Sequence, residues 1–157
     1  VKLESNKLVI VSGASKGLGL ELVTKLLESG WNVAGFSRKK NNHINLLNKK
    51  FGNKFIFKEI DIKKRGRILS FLKYCSKKYQ IYALINNAGI VYENLLVNQS
   101  QENIEELIKV NLLATINVTT EVAKFMIIKN EGRIINISSV VASSGYKGTA
   151  VYSSTKS

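Results

Sequence analysis

Residues with the means to do chemistry gather near the end of this chain. Tyr152 and Lys156 stand four positions apart in Tyr152-Ser153-Ser154-Thr155-Lys156. If the tyrosine lies in the first turn of a helix, the lysine sits one turn on, on the same face. An ammonium beside a phenol favours the phenolate. At roughly 4 Å and an effective dielectric near 20, the Coulomb term is about 4 kcal/mol. A phenol tuned in this way passes a proton to or from an alcohol or carbonyl oxygen near neutral pH. Just upstream, Ile134-Ile135-Asn136-Ile137 ends in Ser138 and Ser139, two hydroxyls that compete for the place beside the phenol. A Tyr-x-x-x-Lys pair is common by chance, so its meaning depends on the elements that position it.

Those elements alternate along the chain. An apolar run over residues 8–11 leads into Ser12-Gly13-Ala14-Ser15-Lys16-Gly17-Leu18-Gly19. A helix-period stretch follows, with Leu18, Leu22, Val23, Leu26 and Leu27 on one face and Gly30 as its C-cap. Strand, glycine-rich turn and helix form the setting of a dinucleotide fingerprint. Gly13 permits the tight turn, Gly17 lets the backbone approach a pyrophosphate, and Gly19 allows close helix–strand packing. The helix N-terminus then offers free N–H groups to phosphates. A second strand over residues 32–36 ends in Ser37-Arg38-Lys39-Lys40. An acid reading a ribose 2′-hydroxyl is expected about 20 residues past the glycines, and none stands there. A carboxylate would repel a 2′-phosphate, whereas Arg38 and Lys16 attract one. The pattern therefore predicts NADP(H), with NAD(H) the lesser choice, and reads Lys39 and Lys40 as solvated surface charges.

Residues 46–47 suggest a short helix, and residues 55–60 a third strand ending in Asp61-Ile62. Asp61 reads as the N-cap of a helix from Lys63 to about Tyr79. A fourth strand over 81–85 is followed by Asn86-Asn87-Ala88-Gly89, small residues that leave room for a ligand at a strand's tip. Ser100 is the candidate N-cap of one long helix reaching about Lys129. Its stripe holds Ile104, Leu107, Ile108, Thr115, Val118 and Val122, and Asn111 falls on it. A lone polar residue on a buried face needs partners. Gly132-Arg133 opens a fifth strand over 134–138. Five strands separated by helices predict an α/β, doubly wound parallel sheet in the order 3-2-1-4-5. This would be one Rossmann-type domain over residues 1–157, with the site across its C-terminal edge.

Bulk composition narrows the function classes. A chain of 157 residues, 45% hydrophobic and 22% charged, fits a globular protein with a real core. No apolar run approaches the roughly 18 residues of a membrane span. The first apolar run is too early and too short for a signal peptide, so a cytoplasmic protein without a membrane partner is expected. Cys75 and His43 are the sole residues of their kinds, which leaves little for a zinc site or a Ser-His-Asp triad. Cys75 sits in a helix-like stretch and reads as a buried, inert thiol. The formal charge of +13 fits either nucleic-acid binding or a compositional bias toward Lys, Asn and Ile. The basic residues form no single helical stripe with interleaved aromatics, so no nucleic-acid partner is expected.

Ser12-Gly13-x-x-x-Gly17-x-Gly19, Asn86-Asn87-Ala88-Gly89, Asn111 and Tyr152-x-x-x-Lys156 occur in an order that resembles the short-chain dehydrogenase/reductase family along the whole chain. Ser12 replaces the family's usual Thr and keeps its hydroxyl. The resemblance implies four catalytic residues: Asn111, Ser139, Tyr152 and Lys156. The family's serine precedes the tyrosine by about thirteen positions, which selects Ser139 over Ser138. Ser139 would hold the substrate oxygen and Tyr152 act as general acid in reduction. Lys156 would favour the phenolate and bind the nicotinamide ribose, and Asn111 would hold a water linking the lysine to solvent. For the cofactor the resemblance implies Gly13, Ser15, Lys16, Gly17, Leu18 and Gly19 at the phosphates, with Ser37 and Arg38 beyond them. Asp61 and Ile62 would meet the adenine, Asn87, Ala88 and Gly89 the ribose, and Tyr152 and Lys156 the nicotinamide half.

The implied activity is NADPH-dependent reduction of a carbonyl to an alcohol, in a homo-oligomer. Ser139-Val140-Val141 and the spacing to Tyr152 are similar to the branch acting on 3-oxoacyl groups of an acyl carrier protein. Lys129 and Arg133 suit an acidic carrier. The chain starts at Val1 and stops one residue past Lys156, where family members continue. The expectation is a fragment lacking the C-terminal part of the fold, poorly active or inactive by itself. A non-catalytic NAD(P)-binding or regulatory protein of the same fold is the alternative.

Overall fold

A five-stranded parallel sheet forms the centre of the computed structural model, which describes residues 6–157. Its strands are β1 (Lys7–Ser12), β2 (Asn32–Ser37), β3 (Phe55–Glu59), β4 (Gln80–Asn86) and β5 (Arg133–Asn136). They lie in the order β3-β2-β1-β4-β5, as the alternation of elements predicts. Val9 pairs with Val33 on one side and Ala83 on the other, so β1 is the middle strand. A strand covered on both faces reads as a continuous apolar run, and residues 8–12 of β1 are all buried.

Alternate residues of each strand supply two separate cores. Leu8, Ile10 and Leu84 pack with Ile68 and Leu72 of α3 (Arg65–Ser76) and Val118 and Val122 of α5 (Ala114–Lys129). Val9, Val11 and Ile85 pack on the other face with Val23 and Leu27 of α1 (Gly17–Glu28) and Ile44 of α2 (Asn42–Phe51). Among the described residues no helix is long and apolar enough to cross a membrane.

Several boundaries differ from the sequence pattern, each for a local reason. Ser29 caps α1, and Gly30 follows it in a left-handed conformation, φ +88°. The N–H groups of Gly30 and Trp31 close the last turn on Leu27 and Leu26. Helix α3 starts at Arg65, not Lys63, because Asp61 organises a turn ahead of it. The Asp61 carboxylate accepts from the Lys63 N–H at 3.0 Å and its carbonyl from the Lys64 N–H at 2.9 Å. Cys75 is buried in α3, and desolvation pushes its thiol up to about 12.

The long helix comes in three pieces: α4 (Gln101–Leu107), a wide π turn over Ile108–Leu113, and α5. Ser100 caps α4 by accepting from the Asn103 N–H at 3.2 Å. A π turn inserts one residue into the helical period, and the apolar stripe rotates accordingly. Ile108, expected on the stripe, is 42% exposed, while Val110 turns inward beside Asn111, which is buried as the stripe predicts. Strand β5 stops at Asn136, and Ile137 adds one further backbone bond to Asn86 at 2.9 Å. The last element is α6 (Ala150–Lys156).

A buried carboxylate joins two helices of one face. Glu121 on α5, its side chain 3% exposed, accepts from Arg65 Nε at 2.9 Å and Nη2 at 2.6 Å, and from Lys124 Nζ at 2.9 Å. The hydrogen bonds from Arg65, then from Lys124, hold its carboxyl below the ordinary range. Glu131 is lowered likewise, chiefly by Lys7. These groups bind a proton less readily folded than unfolded, so their stabilisation is complete above the ordinary carboxylate range and lost as pH falls through the lowered values. Thermal unfolding followed by circular dichroism should show the melting temperature dropping in the acid range. Glu121→Gln should lower stability at neutral pH and flatten that acid limb; an unchanged limb would show that Glu121 takes no part in it.

Candidate active site

The tips of β1 and β4 are fastened by one hydroxyl and one amide. The Ser12 Oγ accepts from the backbone N–H groups of Asn87 and Ala88, both at 3.0 Å. In return the Asn87 Nδ2 donates to the Ser12 and Gly13 carbonyls at 3.1 and 3.3 Å. This approach leaves no space for side chains. A Cβ on Gly13 would lie 2.9 Å from the Ala88 Cα, and one on Gly19 would lie 2.3 Å from the Gly13 carbonyl oxygen. Gly17 differs from both: its φ is +53°, and a Cβ there would meet nothing within 4 Å. It stands at the start of α1, whose N-terminus has no side-chain cap, so the first N–H groups of the helix remain available to an anion.

A cleft of about 890 Å³ opens beside this turn. The residues predicted at a cofactor's phosphates, Gly13, Ser15, Lys16, Gly17, Leu18 and Gly19, all line it. So do Ser37 and Arg38, Asp61 and Ile62, and Asn87, Ala88 and Gly89. Lys39 and Lys40 also face the cleft, against the expectation that they are only solvated surface charges. Their loop is held in place: the Ser37 Oγ donates to the Lys39 carbonyl at 2.9 Å, and the Lys40 N–H donates to Glu59 at 2.7 Å. The Asn41 amide reaches across to the Ser15 carbonyl at 2.6 Å. Glu59 pairs with Ser37 in the sheet register, yet it does not line the cleft.

Tyr152 and Lys156 do not line this cleft. Lys156 instead borders a smaller cavity of about 320 Å³, with Asn111, Ser138 and Thr155. Gly89 lines the large cleft and stands beside two residues of the smaller cavity. A Cβ there would stand 3.3 Å from both the Lys156 Nζ and the Asn111 Oδ1. Helix α6 places Tyr152 and Lys156 one turn apart, as the spacing predicts. The Lys156 Nζ donates to the Ile137 carbonyl at 2.9 Å, and burial lowers its pKa. The Asn111 Oδ1 accepts from the Ile90 N–H, and its Nδ2 donates to the Ile90 carbonyl, both at 2.9 Å. The same Nδ2 reaches the Thr155 Oγ1 at 3.1 Å. The π turn, the Gly89-Ile90 segment and α6 therefore share one asparagine.

The two serines at the end of β5 separate by role. The Ser138 Oγ donates to the Lys156 carbonyl at 2.6 Å and fastens the end of α6. Ser139 is half-buried at the start of a short 3-10 turn over Val140–Ala142. Among the described residues, the hydroxyls of Ser139 and Tyr152 meet no protein hydrogen-bond partner, so both can serve a ligand. Thr155, Asn41 and the clasping action of Ser12 were missed in the sequence. Each is a small polar residue whose partner lies 26 to 76 positions away, and no local pattern marks it.

A parallel sheet whose strand order reverses between β1 and β4, with a glycine cradle and an uncapped helix N-terminus at that point, defines a Rossmann-type dinucleotide-binding fold. The chain belongs to the short chain dehydrogenase family, whose sequence profile matches residues 7–157. It is 41% identical over 160 residues to a 3-oxoacyl-[acyl-carrier-protein] reductase of Buchnera aphidicola, an alignment covering all of this chain and 64% of the relative. Its identity to the reductase of the same name from Chlamydia pneumoniae is 32%, over 96% of this chain and 62% of that one. Serine dehydrogenase from Escherichia coli superposes with a TM-score of 0.87 at 28% identity, over 95% of this chain and 69% of that one. ElxO with NADP bound superposes at 0.89 and 26% identity, over 96% and 62%. The chain thus spans somewhat less than two thirds of the length of these reductases.

The Ser12 clasp can be tested by substitution. Ser12→Ala leaves two inward N–H groups without an acceptor and should cost about 1–3 kcal/mol, read from urea unfolding. Ser12→Thr keeps the oxygen and should stay near the parent. Equal stability of the alanine and threonine variants would remove the clasp from the account.

Proposed function

We propose that this chain carries the cofactor-binding and catalytic part of an NADPH-dependent reductase that converts a carbonyl to an alcohol. The observation that carries this reading is the junction at Gly89. Gly89 lines the cation-bordered cleft there, and a Cβ on it would stand 3.3 Å from both the Lys156 Nζ and the Asn111 Oδ1. The names of the relatives from Buchnera aphidicola and Chlamydia pneumoniae favour a 3-oxoacyl group on an acyl carrier protein as substrate. A cytoplasmic homo-oligomer belongs to the same reading.

A dinucleotide fits the cleft. The uncapped N–H groups of α1 and the open side of Gly17 receive the pyrophosphate. Arg38, with Lys16 and the Lys39-Lys40 pair, receives a 2′-phosphate, and the neighbouring Glu59 carboxylate is bound by the Lys40 N–H. Asp61 and Ile62 take the adenine, while Asn87, Ala88 and Gly89 take the adjoining ribose. When bound, the reduced nicotinamide supplies the hydride that reaches the carbonyl carbon. Ser139 holds the carbonyl oxygen by hydrogen bond, and Tyr152 gives that oxygen its phenolic proton as negative charge develops there. Lys156 holds the nicotinamide ribose. The Asn111 amide, expected to hold a water, is engaged at both ends, by the Ile90 backbone and the Thr155 hydroxyl.

Cofactor choice and chemistry are tested separately. The chain should bind NADPH more tightly than NADH in a fluorescence titration. Arg38→Ala should loosen NADPH by about tenfold, the worth of one charge-assisted bond, with NADH little changed. In the whole protein, Tyr152→Phe should lower kcat for a ketone by about 10²–10⁴ while cofactor affinity persists. A phenylalanine variant with full turnover would end the assignment of the proton donor.

A further inference from the structure

The glycine turn and the cationic loop after β2 are tied together at two points. At the near end, the Phe36 carbonyl accepts from the Gly13 N–H at 2.9 Å and the Ala14 N–H at 3.2 Å. At the far end, the Asn41 Nδ2 donates to the Ser15 carbonyl at 2.6 Å. Residues 37–40 thus form a short span with both ends held on the same turn. Of these three bonds, only the one from Asn41 is made by a side chain. Inside the span, the Ser37 Oγ holds the Lys39 carbonyl and Glu59 holds the Lys40 N–H.

Asn41 uses both ends of its amide. The Oδ1 accepts from the Ile44 N–H at 3.1 Å and caps α2. Capping needs only that oxygen, which a serine also supplies. The nitrogen adds something that a cap does not require, a bond reaching 26 positions back along the chain. It joins the neighbours of two cationic segments, since Ser15 precedes Lys16 and Asn41 follows Lys40. Lys16, Arg38, Lys39 and Lys40 are all exposed on the cleft lining. Like charges repel one another, so hydrogen bonds, not the cations themselves, hold the two segments together. Cations gathered before an anion arrives bind it more tightly, because the cost of ordering them has been met in folding.

We propose that Asn41 is a positioning residue for cofactor choice: through the Ser15 carbonyl it sets the cationic loop against the glycine turn, so that Lys16 and Arg38 act together on a 2′-phosphate. This rests on the proposed cofactor site. Asn41 also borders the cleft, yet its amide is engaged at both ends, and it works through the segments that it joins. NADPH needs the turn and the loop in one register. NADH lacks the 2′-phosphate and needs the turn alone.

The test is equilibrium binding of NADPH and of NADH to the full chain, followed by fluorescence titration. Asn41→Ser keeps a capping oxygen and loses the amide nitrogen; Asn41→Thr does the same and stands in should the serine variant fail to fold. Either variant should bind NADPH about three- to tenfold more weakly, the range of one hydrogen bond, and NADH within about twofold of the parent. Asn41→Ala, which loses the cap as well, should melt below the serine variant yet show the same ratio of the two affinities. In an Arg38→Ala background the serine substitution should cost NADPH less than it does in the parent, since both residues act through one loop. An unchanged ratio or an equal loss for both cofactors would overturn the assignment. So would a cost undiminished by Arg38→Ala, the mark of a direct contact between Asn41 and the ligand. Failure of the parent to bind either cofactor would instead remove the cofactor site, and with it the role given to Asn41.

Discussion

The site depends on how closely the tips of β1 and β4 can approach. Every atom that could hold them apart has been removed: Gly13 and Gly19 have no Cβ, and the space is taken by the Asn87 amide and the Ser12 hydroxyl. Two inward N–H groups and two carbonyls find partners there, at a place where strands end and the ladder can no longer satisfy them. Had the strands stood further apart, the glycine turn would face solvent and the helix behind it would point its N–H groups at water. The clasp converts a turn that any loop could make into the floor of a cleft.

A second constraint lies in the wide turn between α4 and α5. A regular helix over this span would keep Ile108 on the buried stripe. The π turn exposes Ile108 and turns Val110 inward, while Asn111 keeps its place on the buried face, where its amide serves Ile90 on one side and Thr155 on the other. The nucleotide side of the sheet and helix α6 are thereby held by the same residue. Lys156 gains its place from this arrangement, with its ammonium on the Ile137 carbonyl and its stem against Gly89. Burial disfavours the charged form of that lysine.

Charge is distributed according to the same geometry. Away from the cleft, basic side chains close ion pairs that hold elements together, as Arg65 and Lys124 do on Glu121 and Lys7 on Glu131. Along the loop after β2, Ser37, Glu59 and Asn41 fix the backbone, which holds Arg38, Lys39 and Lys40 exposed on the lining of the cleft. An excess of lysine looks like bias in composition, yet a fixed loop gives part of it a direction.

The sheet was legible because its signals are local. Apolar runs of four to seven residues, the glycine turn and the helix periods each occupy one short window, and their alternation leaves one strand order favoured. Most of the cleft was legible too, since Gly13 to Gly19 and Asn86 to Gly89 are contiguous words in the chain. What stayed hidden is what depends on pairs of residues far apart. Neither the Ser12 clasp on Asn87 and Ala88 nor the Asn111 bond to Thr155 leaves any mark in a local window. The π turn was invisible for a related reason, since one extra residue in a helix alters no residue type and only packing reveals which face turned inward. Sequence by itself determined the elements, their order and the residue types available for chemistry, because propensity and periodicity act over a few positions. Only the tertiary structure decided which hydroxyl clasps, which lysines face the cleft and which acid meets Lys63, because those contacts exist only once the strands stand side by side.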